Sequence, residues 1–357
     1  MNVNLLTAGP ESYNARALLY PLLKYRKAIS DSGINLKVFL EIASNITDAD
    51  ILIVDSKFFR SWYPHKLDEM YLQLEKFSNN INLMFFDTTD SSGYVLGDVL
   101  PYVTKYFKHQ VLVDKKQYFN PMYGRRLYSD FYHKNFRVSD AIDHEEKSNN
   151  ILNVNDVEKI SCAWNTGLSN YSLLGEYYAK LYKMTGFKAL FLHSFPFLKN
   201  NYSRSKSIQC RMNTYYSKES VAFHRKKLAD LLDKNIQTDK LNRFQYFKEL
   251  KMTKVIISAF GLGEITLKDF ETFLTGGTLV KPDMSHMETW PNFYENNITY
   301  IPFRWDFKDL HSVIESILED EGLLNEISHE SQKRYFDHLF GLGAQKKFVS
   351  RLHKIIN

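Results

Sequence analysis

Short apolar segments that alternate with helical stretches constrain this chain more than any other feature. In the first hundred residues the apolar runs have strand length and lie at residues 3–6, 35–40, 50–55 and 82–86. Segments 12–32 and 66–79 between them have the pattern of helices. Runs that are apolar on both faces are typical of parallel strands buried under helices. This order predicts a doubly wound α/β sheet, whose ligands bind at the loops after the carboxyl ends of the strands.

A second series of strands and helices follows in the other half of the chain. Strands are predicted at residues 188–192, 207–212, 254–259, 278–280 and 298–302, and helices at 172–184, 218–233, 241–251, 267–274, 307–319, 324–339 and 344–356. A chain of 357 residues has the length of two domains. The polar run 199–206 is the best linker, so we predict two Rossmann-like domains at 1–202 and 203–357.

The bulk composition is that of a folded protein without a strong charge. Hydrophobic residues make up 44% of the chain and charged residues 24%. The formal net charge is +5 and the basic residues are scattered, so the charge alone does not require a nucleic-acid partner. Cys162 and Cys210 match no metal or redox spacing, which indicates a reducing compartment.

Nothing in the sequence indicates export or a membrane span. Residues 1–9 lack the basic start and long apolar stretch of a secretion signal, and no apolar run is long enough to cross a bilayer. Aromatic residues lie beside basic ones at 25–26, 57–60 and 105–108. These clusters fit either ordinary packing or contact with a membrane surface. We therefore predict a cytoplasmic protein and keep open a peripheral contact with the inner face of the membrane.

Residues 255–282 carry the most informative pattern. An apolar strand leads into a turn that contains Gly261 and Gly263, and a helix follows. The free backbone N–H groups of such a turn and the positive end of the helix predict a site for an anion such as a diphosphate. Glu271, on that helix, is either a surface side chain or a carboxylate that accepts two hydrogen bonds from a cis-diol such as a ribose.

The pattern of glycine turn, helix, glutamate, small-residue pair and apolar strand resembles the donor-binding signature of GT-B glycosyltransferases. The resemblance is best over residues 208–309. It implies an N-terminal acceptor-side domain, a C-terminal domain that binds a nucleotide sugar, and Glu271 as the ribose ligand. The predicted donor-binding residues are Arg211, Lys218, Phe260, Gly261, Leu262, Gly263, Glu264, Asp269, Glu271, Lys281 and His286.

The cations that neutralise the leaving diphosphate are not settled by the sequence. The resemblance assigns this role to Arg211 and Lys218, while Arg225, Lys226 and Lys227 compete for it. His286 follows Lys281 and Pro282 and either contacts a phosphate or caps its loop.

A general base is expected on the loops of the first domain, because it must reach the acceptor in the crevice. The candidates are Asp90, Asp87 and Glu11, although both aspartates also suit turn capping around residues 91–93. Gly9, Asn14 and Arg16 are the predicted acceptor contacts. Segment 123–133 mixes cations with aromatic side chains, and either stacks on sugar or packs within the fold.

These observations together predict a metal-independent glycosyltransferase without a cofactor. It would move sugar from a nucleotide sugar to a saccharide or lipid-linked acceptor, in bacterial surface polysaccharide or glycoconjugate synthesis, with no nucleic acid as partner. The alternatives are a nucleotide-sugar epimerase on the same fold and an inactive subunit that binds sugars or nucleotides. Asp48 and Asp50 resemble a metal-binding DxD motif but precede a strand, and the pair Gly261 and Gly263 lacks the third glycine of a dinucleotide fingerprint.

Overall fold

The computed structural model describes residues 1–141, 152–198, 204–232 and 236–357. Most of the predicted linker at 199–206 lies outside these ranges. The boundary between residues 1–202 and 203–357 therefore stays a prediction.

Two parallel sheets organise the chain. Within the described residues the strands are β1 Asn2–Leu6, β2 Asn35–Phe39, β3 Ile51–Asp55, β4 Asn82–Asp87, β5 Lys105–Lys108, β6 Gln110–Leu112, β7 Ile160–Cys162, β8 Lys206–Gln209, β9 Thr253–Ile257, β10 Thr278–Pro282, β11 Met287–Thr289 and β12 Ile301–Phe303. The first sheet has the order β2-β1-β3-β4-β5-β7 and the second β12-β10-β9-β8, and all pairings in both are parallel. The predicted fold class of two Rossmann-like parallel sheets is confirmed.

Helices cover the sheets and follow the predicted alternation. In the same residues they are α1 Tyr13–Lys24, α2 Arg26–Asp31, α3 Leu67–Ser78, α4 Leu127–Phe136, α5 Val154–Lys159, α6 Gly175–Thr185, α7 Lys188–Phe191, α8 Glu219–Leu231, α9 Arg243–Met252, α10 Leu267–Thr275, α11 Leu310–Glu319, α12 Glu321–Leu339 and α13 Ala344–Ile356.

Two predicted elements differ from the structure. The single helix expected at 12–32 is divided at Tyr25 into α1 and α2. The strand expected at 188–192 is the short helix α7, where Phe191 packs against Tyr20 and Tyr182. A short apolar run does not distinguish a strand from a buried helical turn by itself, and the available packing surface decides.

The carboxyl ends of the two sheets face each other. The loop after β4 contacts the loop after β9, and β6 pairs with β11 in an antiparallel ribbon between the two halves. The C-terminal helix α13 returns to the first sheet, where Phe348 packs on Trp164 and Arg351 donates a hydrogen bond to the Ala163 carbonyl.

Across the described ranges, no helix combines the length and the apolar character that a membrane crossing requires.

Candidate functional site

The glycine turn, defined here as residues 261–265, lies between β9 and α10. Thr266 and Asp269 form a capping box that starts α10 directly after the turn. On its other side the turn touches the loop after β4: a methyl group built on Gly263 would lie 2.0 Å from the Asp90 carbonyl oxygen. Only glycine fits at this position, so the absence of a side chain sets how closely the two halves approach.

In the glycine turn the first three carbonyls are paired, while the N–H groups after Gly261 are unpaired. The Gly261 carbonyl accepts from the Tyr128 hydroxyl at 2.5 Å, the Leu262 carbonyl from Arg126 Nε at 2.7 Å, and the Gly263 carbonyl from the Gly261 N–H at 2.9 Å. By contrast, no acceptor in the described part of the chain lies within hydrogen-bonding distance of the N–H groups of residues 262–265. Consecutive free N–H groups beside a helix N-terminus bind anions.

Two cations lie beside this turn, Arg225 buried and Lys268 half-buried. Arg225 donates from Nε to the Phe260 carbonyl at 2.6 Å and from Nη1 to the Asn213 carbonyl at 2.9 Å. Its Nη2 would lie 3.6 Å from a methyl group built on Gly261. Lys268 is in the first turn of α10 and donates to the Arg211 and Ile257 carbonyls. Neither cation forms an ion pair with a carboxylate of the described residues.

The pKa values of these cations show the cost of burying them without an anion. Burial lowers the pKa of Lys268 from 10.5 to about 8 and also lowers the pKa of Arg225. Uncompensated charge in a low-dielectric environment is unfavourable unless a ligand supplies the opposite sign. The free N–H groups, Arg225 and Lys268 together therefore suit a diphosphate.

Glu264 has a different environment from the one predicted. It was expected to line the phosphates and sugar, but its fully buried carboxylate accepts from the Ser92 N–H at 3.0 Å and the Ser92 hydroxyl at 2.7 Å. Burial raises its pKa, yet the nearby His286 and the Ser92 donors outweigh that effect and hold the pKa below its usual value. The carboxylate thus joins the two halves, and the assignment as a sugar contact is corrected.

Arg211, another predicted donor contact, is paired with other side chains of the protein. Its guanidinium donates to Glu249 from Nε at 3.0 Å and from Nη2 at 2.8 Å, and to Gln237 at 2.6 Å. A bidentate carboxylate neutralises the charge that a diphosphate would need. Arg225, which was one of its competitors, replaces it as the diphosphate candidate. Lys218 is the N-cap residue of α8, and its place in the donor site stays a prediction.

Three further predicted donor contacts form the support behind the turn. Lys281 and Asp269 are fully buried and form an ion pair at 3.2 Å. Asp269 also accepts from Ser258 and Tyr294, so it holds α10 against the sheet. Phe260 is buried against Tyr128 and His224. These side chains are paired or packed within the protein, which supports the shape of the turn, and their contact with a donor stays a prediction.

Glu271 lies one turn along α10 from Lys268. Its Oε1 accepts from Arg243 Nη1 at 3.0 Å, and Arg243 donates further to the carbonyls of residues 171–173. Burial raises the pKa of Glu271, with Arg243, Tyr246 and Lys268 opposing that rise. A ribose hydroxyl at Glu271 would have to share this carboxylate with Arg243, so the ribose contact stays a proposal.

The two predicted bases at the end of β4 and in the loop after it, Asp87 and Asp90, differ in their exposure to solvent. Asp87 is fully buried, ion-paired with Lys108 at 2.6 Å, and accepts from the Tyr106 hydroxyl at 2.7 Å. Burial opposes its ionisation, but Lys108 holds the pKa of Asp87 below its usual value. It has no path to an acceptor, and its assignment as base is corrected to a structural one. Asp90 is exposed, and Asn14 Nδ2 donates to its Oδ1 at 2.8 Å.

Gly9, a predicted acceptor contact, and Glu11, a predicted base, line a separate cavity of about 790 Å³ beside β2. The Glu11 carboxylate pairs with Lys183 at 2.7 Å, which weakens its case as base. Arg16 donates to the Pro10 carbonyl at 3.2 Å and stacks over Tyr13, so it fixes the loop after β1. His286, a predicted donor contact, has its Nε2 3.7 Å from the Glu264 Oε1 and packs edge-on against Trp305.

Some residues of the site were not identified from the sequence. They are Arg126, Tyr128, Lys268, and the loop serines 91 and 92. Lys268 could have been identified from the sequence, because a lysine in the first turn of a helix is unfavourable beside the positive end of the helix dipole and so indicates a function. In the ranges that the structure describes, no group of three or more His, Cys, Asp or Glu side chains is arranged to hold a metal.

Comparisons with known proteins give distant structural similarity alone. No protein-family model matches the chain, and no curated protein matches it. The solved structures that resemble it include T4 phage β-glucosyltransferase, with a TM-score of 0.45, 11% identity and 100% of both chains covered. An α-glucosyltransferase in complex with UDP-glucose and DNA has a TM-score of 0.42 and 10% identity, with 98% of this chain and 99% of that chain covered. A glycosyltransferase from Rickettsia africae ESF-5 has a TM-score of 0.41 and 10% identity, over 100% of this chain and 98% of that chain.

These comparisons contradict the prediction that nucleic acid is not a partner. Nucleic acid was excluded as a partner, yet several of the similar solved structures are α-glucosyltransferases in complex with DNA. That exclusion is wrong and is withdrawn. Similarity this low assigns no role to any residue, so the function of this chain has to be argued from its own site.

Proposed function

We propose that this chain is a glycosyltransferase that binds a nucleoside-diphosphate sugar at the glycine turn. The observation that carries the proposal is the meeting of unpaired N–H groups at residues 262–265 with two cations, Arg225 and Lys268, that lack a carboxylate partner among the described residues. An anion with two linked phosphates supplies acceptors for the N–H groups and charge for the cations.

Asp90 is the base that this geometry favours. Its backbone contacts Gly263, its carboxylate is exposed, and Asn14 orients it with a hydrogen bond of 2.8 Å. In an inverting reaction Asp90 takes the proton of an acceptor hydroxyl while the acceptor oxygen forms a bond to the anomeric carbon. The bond between that carbon and the diphosphate oxygen breaks, and the diphosphate leaves with the electron pair.

The protein stabilises the leaving group rather than the sugar in this scheme. Negative charge develops on the departing diphosphate, where the N–H groups of the turn, Arg225 and Lys268 are already in place. Donors that are fixed before the reaction need no reorganisation as charge develops. The saccharide or lipid-linked acceptor, the role in surface polysaccharide synthesis and the membrane contact remain predictions.

Calorimetric titration with UDP, GDP, CDP and dTDP tests the donor site directly. Binding of one of them, followed by release of that diphosphate from its sugar nucleotide only when an acceptor is added, supports the proposal. The acceptor arm contains saccharides and DNA with a hydroxymethylated base. Isomerisation of the sugar nucleotide without acceptor would identify an epimerase, and binding without turnover would identify an inactive subunit.

A further inference from the structure

The carbonyls of the glycine turn are held by side chains of α4 and of the residue just before it. Tyr128, in α4, donates to the Gly261 carbonyl at 2.5 Å, and Arg126 donates to the Leu262 carbonyl at 2.7 Å. In a planar trans peptide the carbonyl and the following N–H point in opposite directions. Fixing these two carbonyls therefore turns the N–H groups of Leu262 and Gly263 away from α4.

A second hydrogen-bonded chain holds the residue before the turn. The Phe260 N–H donates to His224 Nε2 at 3.2 Å, so this nitrogen is unprotonated and the proton is on Nδ1. Nδ1 is 2.6 Å from the Tyr132 hydroxyl, which in turn donates to the Trp305 carbonyl at 3.1 Å. Each group in the chain has one direction of donation that satisfies all of them.

The burial of these groups keeps that direction fixed. Tyr128, Tyr132 and His224 are fully buried, and the two tyrosines are one helical turn apart on α4. Burial, with Arg225 and Lys281 nearby, lowers the pKa of His224 well below its usual value, so the ring stays neutral. A neutral ring is the form that accepts from Phe260.

We propose that Tyr128, Tyr132 and His224 are positioning residues that aim the N–H groups of the glycine turn at the donor diphosphate. This inference rests on the proposed function and extends it. It assigns the α4 segment, which the sequence left open between sugar stacking and packing, to the support of the donor site. None of the three side chains touches the donor, and they act through the backbone of the turn.

Tyr128→Phe removes the hydroxyl that holds the Gly261 carbonyl and is the first test. The matched control is Tyr335→Phe, since Tyr335 is also fully buried and donates to a backbone carbonyl, that of Gly167 at 2.9 Å, outside the turn. Both variants lose a buried hydrogen bond, and both are expected to melt at a lower temperature. Only Tyr128→Phe is expected to weaken binding of the nucleoside diphosphate, by roughly tenfold in Kd.

Tyr132→Phe and the pair His224→Gln and His224→Leu provide independent measurements if Tyr128→Phe fails to fold. Glutamine retains an acceptor for the Phe260 N–H, so His224→Gln should bind more tightly than His224→Leu. Equal Kd values in wild type, Tyr128→Phe and Tyr132→Phe overturn the positioning role of these side chains and leave the proposed donor site intact. Absence of nucleotide binding in the wild type overturns the proposed function itself, so the two failures are distinguishable.

Discussion

The carboxylate of Glu264 accepts hydrogen bonds from both the backbone N–H and the hydroxyl of Ser92, at 3.0 and 2.7 Å. Glu264 lies in the glycine turn after β9 of the second sheet, and Ser92 lies in the loop after β4 of the first. This bond therefore holds the proposed donor site against the loop that carries Asp90. It is buried, so its loss should affect the stability of the whole chain.

Glu264→Gln removes the charge and keeps the shape, and we expect it to lower the free energy of unfolding by about 2 kcal/mol at pH 7. Urea unfolding measures the change. The control is Glu321→Gln, whose side chain is 70% exposed in its ion pair with Lys254 and which should change stability by less than about 0.5 kcal/mol. Equal effects of the two substitutions would contradict the buried connection.

The pKa of the same carboxylate determines how the difference in the free energy of unfolding between wild type and Glu264→Gln depends on pH. The pKa of Glu264 is lowered below 4.5 in the folded state, with Ser92 and His286 outweighing burial. A lowered carboxyl pKa contributes stability above the unfolded value, and this contribution is lost as the pH falls through the folded value. The stability difference should be full at pH 7 and shrink below about pH 4. A constant difference down to pH 3 would show that the charge of Glu264 is not involved.

Arg225 and Arg211 offer a direct comparison of two buried arginines in one domain. Arg225→Gln should weaken binding of the nucleoside diphosphate by about 10- to 100-fold, because it removes a charge-assisted contact. Arg211→Gln breaks the pair with Glu249 and should destabilise the fold, with a change of less than about twofold in Kd. The reverse order of the two Kd values would restore Arg211 to the donor site.

Lys268 should make donor binding sensitive to alkaline pH. Burial lowers the pKa of this amine to about 8 in the free protein, and a bound diphosphate favours its protonated form. Affinity should be full below pH 8 and fall above it, by up to about tenfold per pH unit. Titrations at pH 7, 8 and 9 with wild type and Lys268→Met check this, since the variant should bind more weakly and without the slope. A slope that persists in Lys268→Met assigns the titration to another group.

Asp90→Asn tests the base. We expect kcat to fall by about 10²- to 10⁴-fold while the Kd of the donor changes by less than about twofold, because Asp90 acts on the acceptor. Asp98→Asn is a control in the same loop region, where the carboxylate accepts from the Tyr71 hydroxyl at 3.3 Å. Turnover of Asp90→Asn at the wild-type rate would exclude Asp90 as the base.

Several features of this chain follow from local pattern in the sequence. The apolar runs identified the buried parallel strands, and the pair Gly261 and Gly263 between a strand and a helix identified the turn. These predictions held because strand length, helical period and glycine turns depend on residues that are close along the chain. The nearby α7 shows the limit, since a short apolar segment takes the form that its packing partners require.

The identity of the charged groups at the site was decided by the tertiary structure. The sequence offered Arg211 first and Arg225 as a competitor for the diphosphate. In the structure Glu249, 38 residues from Arg211, neutralises Arg211, while Arg225 has no carboxylate partner in the described residues. Likewise, Ser92 is 172 residues from Glu264, and that contact alone removes Glu264 from the donor site. A charged side chain can bind a ligand only if it is not already paired with another side chain. Pairing partners that are far apart in the sequence are brought together only by folding.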